Sequence, residues 1–244
     1  MPRHLVCLGF DLVASRDCAT MVTDETRDAD DISVAAARVL DLLSDRGLVA
    51  TWFVPGEALA LTGALAERLV RDGHEVALLA PTSPDVAAVG HGREQIRQVT
   101  GTSPRGFRVP GGDVDGWGPW LAQNGFRYEA SRTGLDWWPR GRCADSVVPG
   151  PSAADLITMP IVLALGGDPP SPARAMMQDW SDELLQMRDS VNFGVLTCAM
   201  PLAVIGRGAM LRAFSTFLDT AKACGAVVVP FEAAARAAAE RIRI

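Results

Sequence analysis

Three groups with chemical capacity stand at the ends of short apolar runs: Asp11 in LGFDLV, Arg108 in GFRVP and Cys198 in LTCAMP. A charge in an apolar strand end is costly unless it is paired, so Asp11 needs a partner or a task. It reads either as a general base tuned by its surroundings or as half of a buried ion pair that braces the fold. Arg108 could hold a substrate carboxylate or stabilise an oxyanion, or be a strut of the same kind. Cys198 is a candidate nucleophile or an inert core thiol, and Met200 shares its strand end. Asp113 and Asp115 in GGDVDGW lack the further oxygens of a calcium loop and read as solvated.

The histidines make no metal site. Only His4, His74 and His91 occur. His4 precedes the first predicted strand and His74 begins the third, so both belong at the opposite end from Asp11, and His91 stands alone. Zinc needs three or four ligands at constrained distances, so we expect no catalytic metal and no cofactor. The tryptophans Trp117, Trp120, Trp137, Trp138 and Trp180 fall mostly in predicted loops, and LDWWP lies in a Pro/Gly-rich stretch. Aromatic faces there suit a sugar or planar substrate, or ordinary loop packing. The candidate substrate-contacting residues are Trp117, Trp137, Trp138, Cys198 and Met200, with Asp11 and Arg108 as the catalytic pair.

A chain of 244 residues, 48% hydrophobic, can bury one large core. Its net charge of −6 without a basic stripe argues against nucleic acid as a partner. No apolar run reaches the ~18 residues that span a bilayer, and the N-terminal apolar run is short and broken by Asp11. Five cysteines without a CxxC pair fit reduced thiols. Together these predict a cytoplasmic chain acting on a small molecule, away from membranes. SPARAMMQDW could line a pocket rim or a homo-oligomer contact.

These residues need a frame. Strand-like HLVCLGFDLV, LVATWFV, HEVALL, GFRVP, FRYEAS, ADLITMP, FGVLTCAM and AVVVP alternate with helix-like DDISVAAARVLDLLSDRG, GALAERLVRDG, REQIRQVTG, GPWLAQNG, SDELLQMRDS, AMLRAFSTFLDTAKACG and FEAAARAAAERIRI. Residues 131–155 read as a long loop excursion. Repeated β-then-α units imply parallel strands with right-handed crossovers. The prediction is an α/β fold: one domain over residues 1–244, a distorted (β/α)7–8 barrel with its chemistry at the C-terminal ends of the strands.

Six motifs in order, LGFDLV, ATWFVPG, DGHEV, TGTSPRGFRVPGG, NGFRYEAS and LTCAMPLAVIGR, resemble the NodB-like polysaccharide deacetylases of carbohydrate esterase family 4 from about Leu5 to Ala238. The chain is most similar to the cytoplasmic branch with peptidoglycan-deacetylase-like and allantoinase-like members. The resemblance implies that Asp11 is the base and that Arg108, in the Arg-x-Pro motif with Pro110, pairs with it. It also implies that the metal carboxylate position is Val13 or Leu12, that the His-x-x-x-His positions are Leu79 and Ser83, and that the general acid position is Ala199 or Met200. No family ligand and no general acid remains at these places.

Two readings follow. In the first, which we prefer on sequence, the chain is a metal-independent enzyme. It acts on the C–N bond of an activated amide, lactam or ureide, or transfers a proton in a cyclisation or isomerisation. In the second it is a pseudoenzyme kept for ligand binding or as a partner subunit. An open mouth above Asp11 would favour the first, and a mouth packed by apolar side chains the second.

Overall fold

The computed structural model describes residues 3–12, 25–61, 63–81, 84–111, 114–141, 156–165 and 172–242. Val13, Ser83, Asp113, Cys18 and Cys143 lie outside them. Strand β1 (His4–Asp11) is central and buried from Leu5 onward. On one side follow β2 (Thr51–Val54), β3 (Glu75–Leu79), β4 (Gly106–Arg108) and β5 (Tyr128–Glu129), each parallel to the last. On the other lies β9 (Gly194–Pro201), in register from His4↔Gly194 to Asp11↔Pro201. Near-continuous apolar sequence suits strands covered on both faces.

The edges of this curled sheet meet. Strand β7 (Ile157–Thr158) pairs with β5, and β8 (Leu163–Ala164) pairs with β9. The residues between them keep bonding on both sides: the Ile161 amide donates to the Arg132 carbonyl at 2.8 Å and the Val162 amide to the Thr197 carbonyl at 3.2 Å. The run 157–165 therefore joins the two edges and closes the predicted α/β barrel. Strand β10 (Val227–Val228) lies beside the lower half of β1. The expected 131–155 loop includes β6 (Arg140–Gly141), antiparallel to β7.

Helices α1 (Glu25–Ser44), α2 (Gly56–Leu61), α3 (Gly63–Arg71), α4 (Val86–Thr100), α5 (Gly118–Gln123), α6 (Ala173–Ser190), α7 (Leu202–Ile205), α8 (Gly208–Ala223) and α9 (Phe231–Ile242) complete the order. Helix α4 begins earlier than REQIRQVTG predicts, because the Asp85 carboxylate accepts the Ala88 amide at 2.8 Å and caps it. Gly92 obscured that start, since glycine costs a helix about 1 kcal/mol. Its use is close packing: a Cβ on Gly56 would come within 2.5 Å of the Gly92 Cα. Helix α6 likewise starts eight residues before SDELLQMRDS.

Strand alternation divides the core in two. Leu5, Cys7, Phe53, Ala77 and Tyr128 fill the barrel interior, while Val6, Leu8, Phe10, Trp52 and Phe107 face the helices. Phe231 of α9 enters the interior from the lower end. The Phe231 amide donates to Thr51 Oγ at 2.8 Å and the Glu232 amide to Glu75 at 3.1 Å. Thr51 and Tyr128 hydroxyls also donate to Glu75, at 2.6 and 2.7 Å. Two of the orphan amides at the start of α9 are thus satisfied by β2 and β3.

Candidate functional site at the barrel mouth

Odd-numbered residues of β1 face the interior, so Asp11, the last of them, points into the mouth. Arg108 ends β4 and reaches it from across the barrel. Its Nε donates to Asp11 Oδ1 at 2.9 Å and its Nη2 to Oδ2 at 3.1 Å, a bidentate pair. Nη1 donates to the Ala130 carbonyl, and the guanidinium lies 5.7 Å from the Phe53 ring centroid. Asp11 is 3% exposed and Arg108 6%. Both carboxylate oxygens of Asp11 are therefore engaged, in a place that little water reaches.

The surrounding positions are apolar. Leu79, the register partner of Arg108, is 4% exposed and belongs to the interior cluster. Ala199, the partner of Gly9, is also interior, so alternation assigns it, and not Met200, to the inward general-acid position. Leu12 turns outward into the helix-facing cluster. Leu79 and Leu12 offer no nitrogen or oxygen side-chain donor, and Asp11 is committed to a guanidinium. Among the described residues no three His, Cys, Asp or Glu side chains are grouped to hold an ion. The donor set at the described positions does not fit the family's divalent cation.

Several sequence-based site residues stand elsewhere. Cys198 and Met200 face the helix layer, fully buried, because the chain alternates along β9 and the inward places fall to Thr197, Ala199 and Pro201. Burial pushes the Cys198 thiol well above its ordinary pKa, which suits a core residue. Trp117 stacks on Phe107, 6.1 Å between centroids, and meets Trp120 edge-on at 5.6 Å, so it packs beneath α5. Trp137 donates from Nε1 to Glu183 of α6 at 2.7 Å, and its carbonyl accepts the Val195 amide at 2.8 Å.

Trp138, 42% exposed, stands edge-on to Phe193 at 5.4 Å, and Phe193 immediately precedes β9. Asp11 is level with Pro201 at the other end of that strand, roughly 25 Å away at ~3.3 Å per residue. The LDWWP segment was expected at the mouth, but it descends along the lower half of β9. Trp180 packs edge-on against Phe217 in the core, and Asp115 pairs with Arg132. His4 Nε2 bonds the Val191 carbonyl at 2.9 Å, at the lower end as expected.

Two carboxylates in the strands, one buried and one half-buried, escaped the sequence reading. Glu129 is fully buried; one oxygen accepts the Ser131 amide at 3.0 Å and the other has no partner. Glu75 holds α9 as described above, and burial raises its pKa above the ordinary 4.5. The signal that singled out Asp11, an acid inside an apolar strand, was present at both positions.

Residues 25–128 match the family model described as polysaccharide deacetylase. A polysaccharide deacetylase structure from Mycobacterium smegmatis superposes with a TM-score of 0.80 at 22% identity, covering 98% of this chain and 91% of that one. An allantoinase structure superposes with 0.70 at 16% identity, covering 96% and 90%. A mutant of a CE4 family pseudoenzyme with restored enzymatic activity gives 0.54 at 16% identity, covering 93% and 66%. No curated protein sequence matches. No helix among the described residues is long and apolar enough to cross a membrane.

Proposed function

We propose that this chain, which has the polysaccharide-deacetylase fold of the NodB type, is a pseudoenzyme: a barrel whose mouth is packed rather than catalytic and which serves as a binding or partner subunit. One observation carries this reading. The carboxyl group that would act as base is 3% exposed, and the inward positions beside it where the resemblance places a metal ligand and the general acid hold the buried apolar side chains of Leu79 and Ala199. A base must reach the proton it takes, and hydrolysis of a plain acetamide needs stronger oxyanion stabilisation than one engaged arginine provides. Asp11 and Arg108 act here as a brace across the barrel opening. The pseudoenzyme among the similar structures supports the plausibility of such a change within this fold.

The second reading keeps Asp11 as base and Arg108 as electrostatic partner in metal-independent chemistry on a small molecule. It draws on the inward direction of Asp11 at a strand end and on the similarity to an allantoinase. One set of assays separates the two. The purified full chain is incubated with an N-acetylglucosamine oligomer, an activated anilide and allantoin, with and without added zinc or cobalt, and its metal content is measured. The pseudoenzyme reading expects no turnover and no stoichiometric metal. Turnover that survives chelation and disappears in a folded Asp11→Asn variant would establish the second reading instead.

A further inference from the structure

The lower end of the barrel carries charges that the fold does not use. Arg105 precedes β4 and Arg127 precedes β5. Gly106 and Tyr128 are register partners and the Arg127 amide donates to the Arg105 carbonyl at 2.7 Å, so the two arginines stand side by side. Like charges on adjacent strands repel. Neither of them, nor Arg236 on α9, has a side-chain hydrogen bond or ion pair among the described residues. Arg46, Arg68, Arg97 and Arg132, by contrast, each have a carboxylate.

Arg105 and Arg236 line a groove of about 720 Å³ from different walls, with His74, Ser103 and Glu232 also on its surface. Arg236 and Arg127 line a neighbouring groove of about 350 Å³. His74 is 9% exposed and its Nδ1 accepts the Ala50 amide at 3.1 Å, so the ring proton sits on Nε2. That N–H has no partner among the described residues, and the residue borders the groove. Burial lowers the His74 pKa and keeps the ring neutral, a donor rather than a charge. The Glu75 oxygens are occupied by Thr51, Tyr128 and the Glu232 amide. Glu232, which lines both grooves, and Glu240, which lines the smaller, stand one helical turn to either side of Arg236 and temper the local charge without an ion pair to Arg105, Arg127 or Arg236.

We propose that this end of the barrel binds a small phosphate-bearing anion, held by Arg105 and Arg236 with the His74 Nε2–H as a further donor, while Arg127 adds positive charge from the neighbouring groove. Two guanidiniums on different walls of a polar groove, with an N–H donor between them in the lining, suit a dianion or a diphosphate, whose oxygens accept paired N–H donors. The site is separate from the mouth and does not depend on whether Asp11 is a base.

Calorimetric titration of the full chain with pyrophosphate at constant ionic strength tests it. We expect saturable binding at one site, weakened at least about tenfold in Arg105→Ala and in Arg236→Ala. Arg212→Ala, which removes an exposed arginine of α8, should leave the affinity unchanged. No saturable heat with the unmodified chain would overturn the proposal, and that measurement needs no variant to fold. Full affinity in both arginine variants, or an equal loss in Arg212→Ala, would overturn it as well.

Discussion

Asp11 and Arg108 are the residues whose chemistry the sequence advertises most openly, and their geometry assigns them to each other. A buried ion pair adds little net stability over apolar side chains of the same volume, whereas removing one partner strands the other charge. Arg108→Ala and Asp11→Ala should each destabilise the chain by about 3–5 kcal/mol in urea denaturation. Asp11→Leu combined with Arg108→Met should cost far less than the sum of the single changes. Additive costs would mean that the two side chains act independently and that the brace does not exist. Leu79 stands where the family resemblance places a histidine, and its aliphatic side chain packs level with the Arg108 guanidinium without adding an unsatisfied donor.

Helix α9 shows how an element is placed by groups outside it. Its first amides are held by Thr51 and Glu75, and Phe231 fills the barrel interior between Phe53 and Tyr128. Burial, the largest influence, raises the Glu75 pKa, while its three hydrogen-bond donors pull the other way. A carboxyl whose pKa is higher in the folded chain favours folding most when protonated. Its contribution is complete below about pH 4.5, the ordinary value, and is lost as pH rises through the folded value. The difference in stability between the native chain and Glu75→Gln, measured by urea midpoints from pH 4 to 8, should therefore shift in favour of the glutamine variant with rising pH. A difference that is flat, or that moves the other way, would show that the carboxylate is held as an ion by its donors.

For the whole molecule, closure is the governing feature. The run 157–165 bonds β5 at its start and β9 at its end, and Trp137 ties the preceding segment to both β9 and α6. With the sheet closed and α9 seated at its lower end, no described strand group forms a separate core. Far-ultraviolet and near-ultraviolet circular dichroism should report one coincident unfolding transition. Two resolved transitions would mean that the barrel divides into independently stable parts. Closure also sets the two ends apart: the mouth holds a self-satisfied ion pair, while the lower end presents three arginines without acid partners.

The order of β-then-α units, the inward acid at the end of the first strand, and the missing histidines were legible in the sequence, because each depends on local pattern or on residue type alone. The inward and outward faces of β9 were not. A strand buried on both sides is apolar on both sides, and only the register Gly9↔Ala199 turns Ala199 in and Cys198 and Met200 out. The position of LDWWP was equally hidden, since nothing local tells a loop to run down β9 instead of over the mouth. Arg105, Arg127 and Arg236 are far apart in sequence, and only the pairing of β4 with β5 and the return of α9 beneath them bring the three charges together.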